Sequence, residues 1–170
     1  DDTTNGNLSD NAIYGGLKVS LGIALKTKGT NEGIKTTNVN DVDDGNTITV
    51  SEAGSIETTG NYAYGIKNKG DTNETDLSGS IKTAGYLAGG IVNILDENET
   101  TVFGSIETTG EDAYGIWNNG ASNKTTVSGS IVTTGYRSVG IVNQGYNNTI
   151  GVYNTTTVSG SIKTGDVDAG

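Results

Sequence analysis

One phrase returns four times at a fixed interval of 25 residues: GSIETTGNYAYGI at 54–66, GSIKTAGYLAGGI at 79–91, GSIETTGEDAYGI at 104–116 and GSIVTTGYRSVGI at 129–141. A short fixed period forces one local structure to recur, each copy packing on its neighbours. Three apolar anchors mark each unit. The first is Val50, Leu77, Val102, Val127 and Val158; the second is Ile56, Ile81, Ile106, Ile131 and Ile162; the third is Ile66, Ile91, Ile116 and Ile141. A fainter copy lies upstream. Aligning VSLGIALKTKGTNEGI at 19–34 with 50–66 puts Val19, Leu25 and Ile34 at the three anchor places.

Around each anchor, small, polar and apolar residues alternate, as in TTVSG and SIVTTG, with Gly and Asn between the stretches. Alternation marks strands, and Gly and Asn mark turns. No stretch is long enough for an amphipathic helix, and Thr, Gly and Asn are poor helix formers. The expected fold is therefore all-β: a parallel β-solenoid with about 25 residues and three short strands per coil, and roughly six coils. Coils are expected to start near 19, 50, 77, 102, 127 and 158, with residues 1–18 as a partial coil or cap. The repeats fill 19–170, and the pattern expects a further Ile where it stops, so the last coil is read as truncated.

In a solenoid, equivalent positions stack about 4.8 Å apart. Asn68, Asn93, Asn118 and Asn143 are expected to form a ladder of stacked amides. Two glycine columns, Gly60/Gly85/Gly110/Gly135 and Gly65/Gly90/Gly115/Gly140, are expected at narrow corners. The column Glu57, Lys82, Glu107 sets opposite charges on successive coils. Two units are longer, by residues around 38–46 and 144–154, and both extensions fall at the same corner, projecting as loops from one edge.

Composition agrees with a repeat. Apolar residues make up only 32%, too few for an ordinary globular core, where 45–50% is usual, while Gly numbers 27. The net charge of −10 argues against nucleic acid, whose phosphates need clustered Lys and Arg. No apolar run approaches the roughly 18 residues of a membrane-spanning helix, so the segment is not expected to insert.

His and Cys are both absent, which removes histidine-based catalysis, a cysteine nucleophile and thiolate metal sites. The chain is read as non-enzymatic, with no cofactor. Asp41, Asp43 and Asp44 form the one acidic cluster, a candidate calcium site or simply a solvated loop; Val42 stands where an EF-hand requires a ligand. Tyr62, Tyr64, Tyr86, Tyr114, Trp117 and Tyr136 recur at related positions, with Tyr64 and Tyr114 in one column. They form a candidate binding surface for sugars or a partner protein, or else a covering of the solenoid. Thr59, Thr109 and Thr134 also stack, but the charges two residues away do not suit an ice-binding face. Asn73, Asn98, Asn123, Asn147 and Asn154 head Asn-x-Thr sequons, attributed to an Asn- and Thr-rich composition.

The phrase G-S-I-x-T-x-G-x-x-A-Y-G-I-x-N resembles the degenerate repeats of bacterial autotransporter (type V secretion) passenger domains, over roughly residues 19–170. The resemblance implies a right-handed β-helix outside the cell, acting as a stiff adhesive or self-associating stalk. Its implied partners are another copy, a host surface protein or a glycan. No protease motif such as GDSGS accompanies it. The alternative is a carbohydrate-binding or carbohydrate-active β-helix, tailspike- or lyase-like.

Overall fold

A computed structural model describes residues 18–37, 45–145 and 153–165, and every regular element among them is a β-strand. Coil 1 holds β1 (Lys18–Leu21), β2 (Ala24–Thr27) and β3 (Ile34–Thr37). Coil 2 holds β4 (Thr47–Val50), β5 (Ser55–Thr58) and β6 (Tyr64–Lys69). Coil 3 holds β7 (Glu74–Leu77), β8 (Ser80–Thr83) and β9 (Gly89–Ile94). Coil 4 holds β10 (Glu99–Val102), β11 (Ser105–Thr108) and β12 (Tyr114–Asn119). Coil 5 holds β13 (Lys124–Val127), β14 (Ser130–Thr133) and β15 (Val139–Gln144), and a sixth begins with β16 (Thr155–Val158) and β17 (Ser161–Thr164).

Strands at equivalent places in successive coils pair in parallel, giving three sheets: A (β1-β4-β7-β10-β13-β16), B (β2-β5-β8-β11-β14-β17) and C (β3-β6-β9-β12-β15). The chain is a parallel β-solenoid. Its register follows the repeat: Ile56, Ile81, Ile106 and Ile131 are successive partners, as are Ile66, Ile91, Ile116 and Ile141. These anchors are buried to 1% or less, apart from a partly buried Ile141. Each such side chain contributes about 1.5–3 kcal/mol by leaving water. β-branched residues suit these strands because they pack well on a pleated, half-buried surface.

The register corrects the first coil. Leu21, not Val19, pairs with Val50; Val19 pairs with Ile48 two residues earlier. The reason is turn length. Leu21 and Leu25 are four residues apart, as are Leu77 and Ile81, whereas Val50 and Ile56 are six apart. The longer turn belongs to coil 2, so aligning coil 1 against it displaced the anchor.

The two glycine columns serve different purposes. Gly60, Gly85, Gly110 and Gly135 lie in or beside the turns from sheet B to sheet C, and a Cβ on Gly110 would collide with the Gly85 carbonyl oxygen. Gly65, Gly90 and Gly115 lie inside strands rather than at corners. There two consecutive residues face inward, and a Cβ on Gly90 would run into Ile106 Cγ2 and sit 2.6 Å from the Gly115 carbonyl oxygen. The extra inward residue is tolerated only because it has no side chain.

Both long connections, β3 to β4 and β15 to β16, join sheet C to sheet A. The sequence-derived N-terminal cap and the candidate calcium residues Asp41, Asp43 and Asp44 lie outside the described residues.

Candidate functional site

Inside the solenoid the polar residues are organised as ladders. Asn68 Nδ2 donates to Asn93 Oδ1 at 2.9 Å, Asn93 to Asn118 at 2.8 Å and Asn118 to Asn143 at 2.8 Å. Thr36 Oγ1 extends the row by donating to Asn68 Oδ1 at 3.0 Å. Each amide sends its second hydrogen to a threonine: Asn68 to Thr75, Asn93 to Thr100, Asn118 to Thr125 and Asn143 to Thr156. Asn68, Asn93 and Asn118 are fully buried, while Asn143 is exposed.

A second ladder runs beside it through the sequon asparagines. Asn73 Oδ1 accepts from the Asn46 backbone N–H, Asn98 Oδ1 from Asn73, Asn123 Oδ1 from Asn98, and Asn154 Oδ1 from Asn123. Side-chain amides add Asn46 to Asn73 and Asn73 to Asn98, both at 2.8 Å. Composition is therefore not what places the sequons at Asn73, Asn98, Asn123 and Asn154; Asn147 lies outside the described residues. The Asn, just before the strand, belongs to one ladder, and the Thr two residues on is the acceptor for the other. With Asn73, Asn98 and Asn123 only 0–1% exposed, they are closed to modification in the folded chain. The signal was present in the sequence, since Asn-x-Thr recurs at the coil period. Between coils 1 and 2 both members change together: Thr36 of coil 1 stands where the amide would be, and Ile48 of coil 2, the register partner of Thr75, stands where its threonine acceptor would be.

Turns add further links. Asp71 Oδ1 and Asp96 Oδ1 accept the backbone N–H of Asp96 and Ala121, both at 2.7 Å. A different column is left without partners. Thr58, Thr83, Thr108 and Thr133 stack inside sheet B at 0–2% exposure, and their hydroxyls make no hydrogen bond.

The candidate aromatic surface divides in two. Tyr62, Tyr86 and Tyr136 stand exposed on the turns between sheets B and C. Tyr62 and Tyr86 meet edge to face at 5.7 Å, and Arg137 lies 5.2 Å over the Tyr136 ring while pairing with Asp112 in the preceding coil. Tyr62, Leu87 and Arg137 hold φ of 52–59°, a left-handed conformation that is strained for such side chains.

Tyr64, Tyr114 and Trp117 instead lie half-buried on the outer face of sheet C. Tyr64, Gly89, Tyr114 and Val139 are successive register partners, as are Lys67, Val92, Trp117 and Val142. A Cβ on Gly89 would approach Tyr64 Cδ1 to 3.1 Å, so the Tyr64 ring leans over the glycine. Tyr114 and Trp117 pack at 5.5 Å with their planes 33° apart, and Val92 is fully buried. Burial, followed by the charge of Glu32, pushes the Tyr64 hydroxyl pKa up.

Ion pairs tie successive coils on the exterior: Lys26–Glu57 at 2.7 Å, Lys82–Glu107 at 2.8 Å, Lys124–Glu99 at 2.6 Å and Lys67–Glu32 at 3.2 Å. The expected charge column Glu57, Lys82, Glu107 stacks in register, and within it Lys82 pairs with Glu107, while Glu57 pairs with Lys26 of the preceding coil. Lys26 holds the Glu57 carboxyl below its ordinary pKa, and Glu107 holds the Lys82 ammonium above its own. Among the described residues, no group of three or more carboxylates is placed to hold a metal ion. Comparison of the chain with known protein families, curated proteins and solved structures finds no match.

Proposed function

We propose that this chain is a stiff, non-enzymatic rod working outside a bacterial cell through adhesion or self-association. The observation that carries this reading is the outer face of sheet C, where Tyr64, Tyr114 and Trp117 line up beside Val92 and Val142 across four coils. Half-exposed aromatic rings on a rigid support lose little conformational entropy on contact and supply most of the energy at protein interfaces. The ladders supply the stiffness, because each coil is hydrogen-bonded to the next by side chains as well as backbone.

Sedimentation velocity over a hundredfold range of concentration tests the self-association arm, and binding to host-cell extracts tests adhesion. Trp117→Ala should weaken whichever is found. A chain that stays monomeric and binds neither cells nor glycans would sink the reading. The tilted Tyr114–Trp117 pair favours a second reading, a sugar-stacking platform, for which a glycan array is the test.

A further inference from the structure

The three outward faces treat charge differently. On sheet B the outward column runs Lys26, Glu57, Lys82, Glu107, and ion pairs join Lys26 to Glu57 and Lys82 to Glu107. Sheets A and C break this rule. On C, Lys35 is the register partner of Lys67, and Lys69 follows two residues on. On A, Glu74 is the register partner of Glu99, with Asp76 beside it. Like charges directly opposite each other destabilise a sheet. Glu32 satisfies Lys67, and Lys124 satisfies Glu99. Among the described residues, Lys35, Lys69, Glu74 and Asp76 make no ion pair.

The uncompensated charge is cationic on C and, over strands β4 to β16, anionic on A. A chain of net charge −10 repels its own copies except where opposite patches meet. Outward strand positions on C carry no carboxylate among the described residues, so C is the face an acidic copy can approach.

Resting on the self-association reading, we infer that sheet C of one copy docks against sheet A of a second copy, with Lys35 and Lys69 facing Glu74 and Asp76. Sheet A strands have four residues and span about 13 Å, so five strands about 4.8 Å apart bury about 600 Å² over both copies. That is below the size of a stable complex and fits weak, salt-sensitive association. Because the two docking faces differ, a dimer still offers one free A face and one free C face. Association therefore continues past two copies.

The test is sedimentation velocity on the 170-residue chain and two variants, one with Lys35→Glu and Lys69→Glu, the other with Glu74→Lys and Asp76→Lys. Circular dichroism checks folding; should either double variant misfold, Lys69→Glu and Glu74→Lys singly carry the same comparison. Each variant alone should associate at least tenfold more weakly than the parent. Their equimolar mixture should recover association, since the reversed C face of one then meets the reversed A face of the other. Salt at 0.5 M should weaken the parent.

A mixture that does not recover overturns the inference. Variants that associate like the parent place the contact elsewhere, leaving self-association intact. A parent that is monomeric throughout removes self-association and this inference together. A monomer that binds heparin through Lys35 and Lys69 assigns face C to an acidic glycan instead.

Discussion

Asn93 Nδ2 donates to Asn118 Oδ1 at 2.8 Å in the next coil, and Thr100 Oγ1 takes the second hydrogen of the same amide at 3.0 Å. One side chain thus joins two coils and two sheets. Asn93→Ala would orphan three buried groups: the Asn68 amide, Asn118 Oδ1 and Thr100 Oγ1. A stability loss of about 3 kcal/mol is expected in urea unfolding, from about 1 kcal/mol or more per stranded group. A loss below about 1 kcal/mol would show that the ladder does not hold the coils together.

Gly110 has no room for a methyl group, because the Gly85 carbonyl oxygen occupies the place of its Cβ. Backbone cannot yield there without breaking the register of sheet B. Gly110→Ala is expected to cost about 4 kcal/mol or more, or to prevent folding. Gly29→Ala meets no atom within 4 Å, but its φ of 72° disfavours a side chain, so only a modest loss of about 1 kcal/mol is expected. Equal effects from the two would refute the close-approach explanation.

The hydroxyl of Thr108 is buried with no partner, whereas Thr125 Oγ1 accepts from Asn118 at 2.9 Å. Replacing each by valine separates the two situations. Thr108→Val is expected to stabilise by about 1 kcal/mol, since an unsatisfied buried hydroxyl is removed at constant shape. Thr125→Val should destabilise by a similar amount. Melting temperatures that fall for both variants would mean the Thr108 column has partners after all.

Acid should loosen the exterior. Arg137 holds the Asp112 carboxyl below its ordinary pKa, as Lys26 does for Glu57. Folded values below unfolded ones mean that this stability is complete above the unfolded carboxylate range, about pH 4. It is lost as pH falls through the lower folded values. Lys82 has the opposite sign: Glu107 raises its pKa, so that contribution is complete below about pH 10 and is lost as pH rises through the higher folded value. The melting temperature should be flat between these limits and decline on both sides, gently, because the pairs are exposed. Asp112→Asn should flatten the acid limb; an unchanged limb would rule the pair out as a contributor.

Most of the solenoid was legible in the sequence because a solenoid is nearly one-dimensional. The 25-residue period places Ile81 between Ile56 and Ile106, and the same arithmetic stacks Asn68, Asn93, Asn118 and Asn143. Period alone could not place coil 1, where the turn lengths differ and Leu21 rather than Val19 faces Val50.

By itself, then, the sequence determined the stacking: what recurs must lie in one column, because every coil repeats the same backbone path. Only the tertiary structure decided what neighbouring columns do to each other. It brought the Asn68 column against the Thr75 column, turning apparent sequons into a lattice of amides and hydroxyls. It also left the hydroxyls of the Thr58 column without hydrogen-bond partners, and it gathered unlike surplus charge on sheets A and C. Those relationships depend on how the chain turns at its three corners. That is set by contacts between residues several positions apart in the coil, which a period along the chain does not encode.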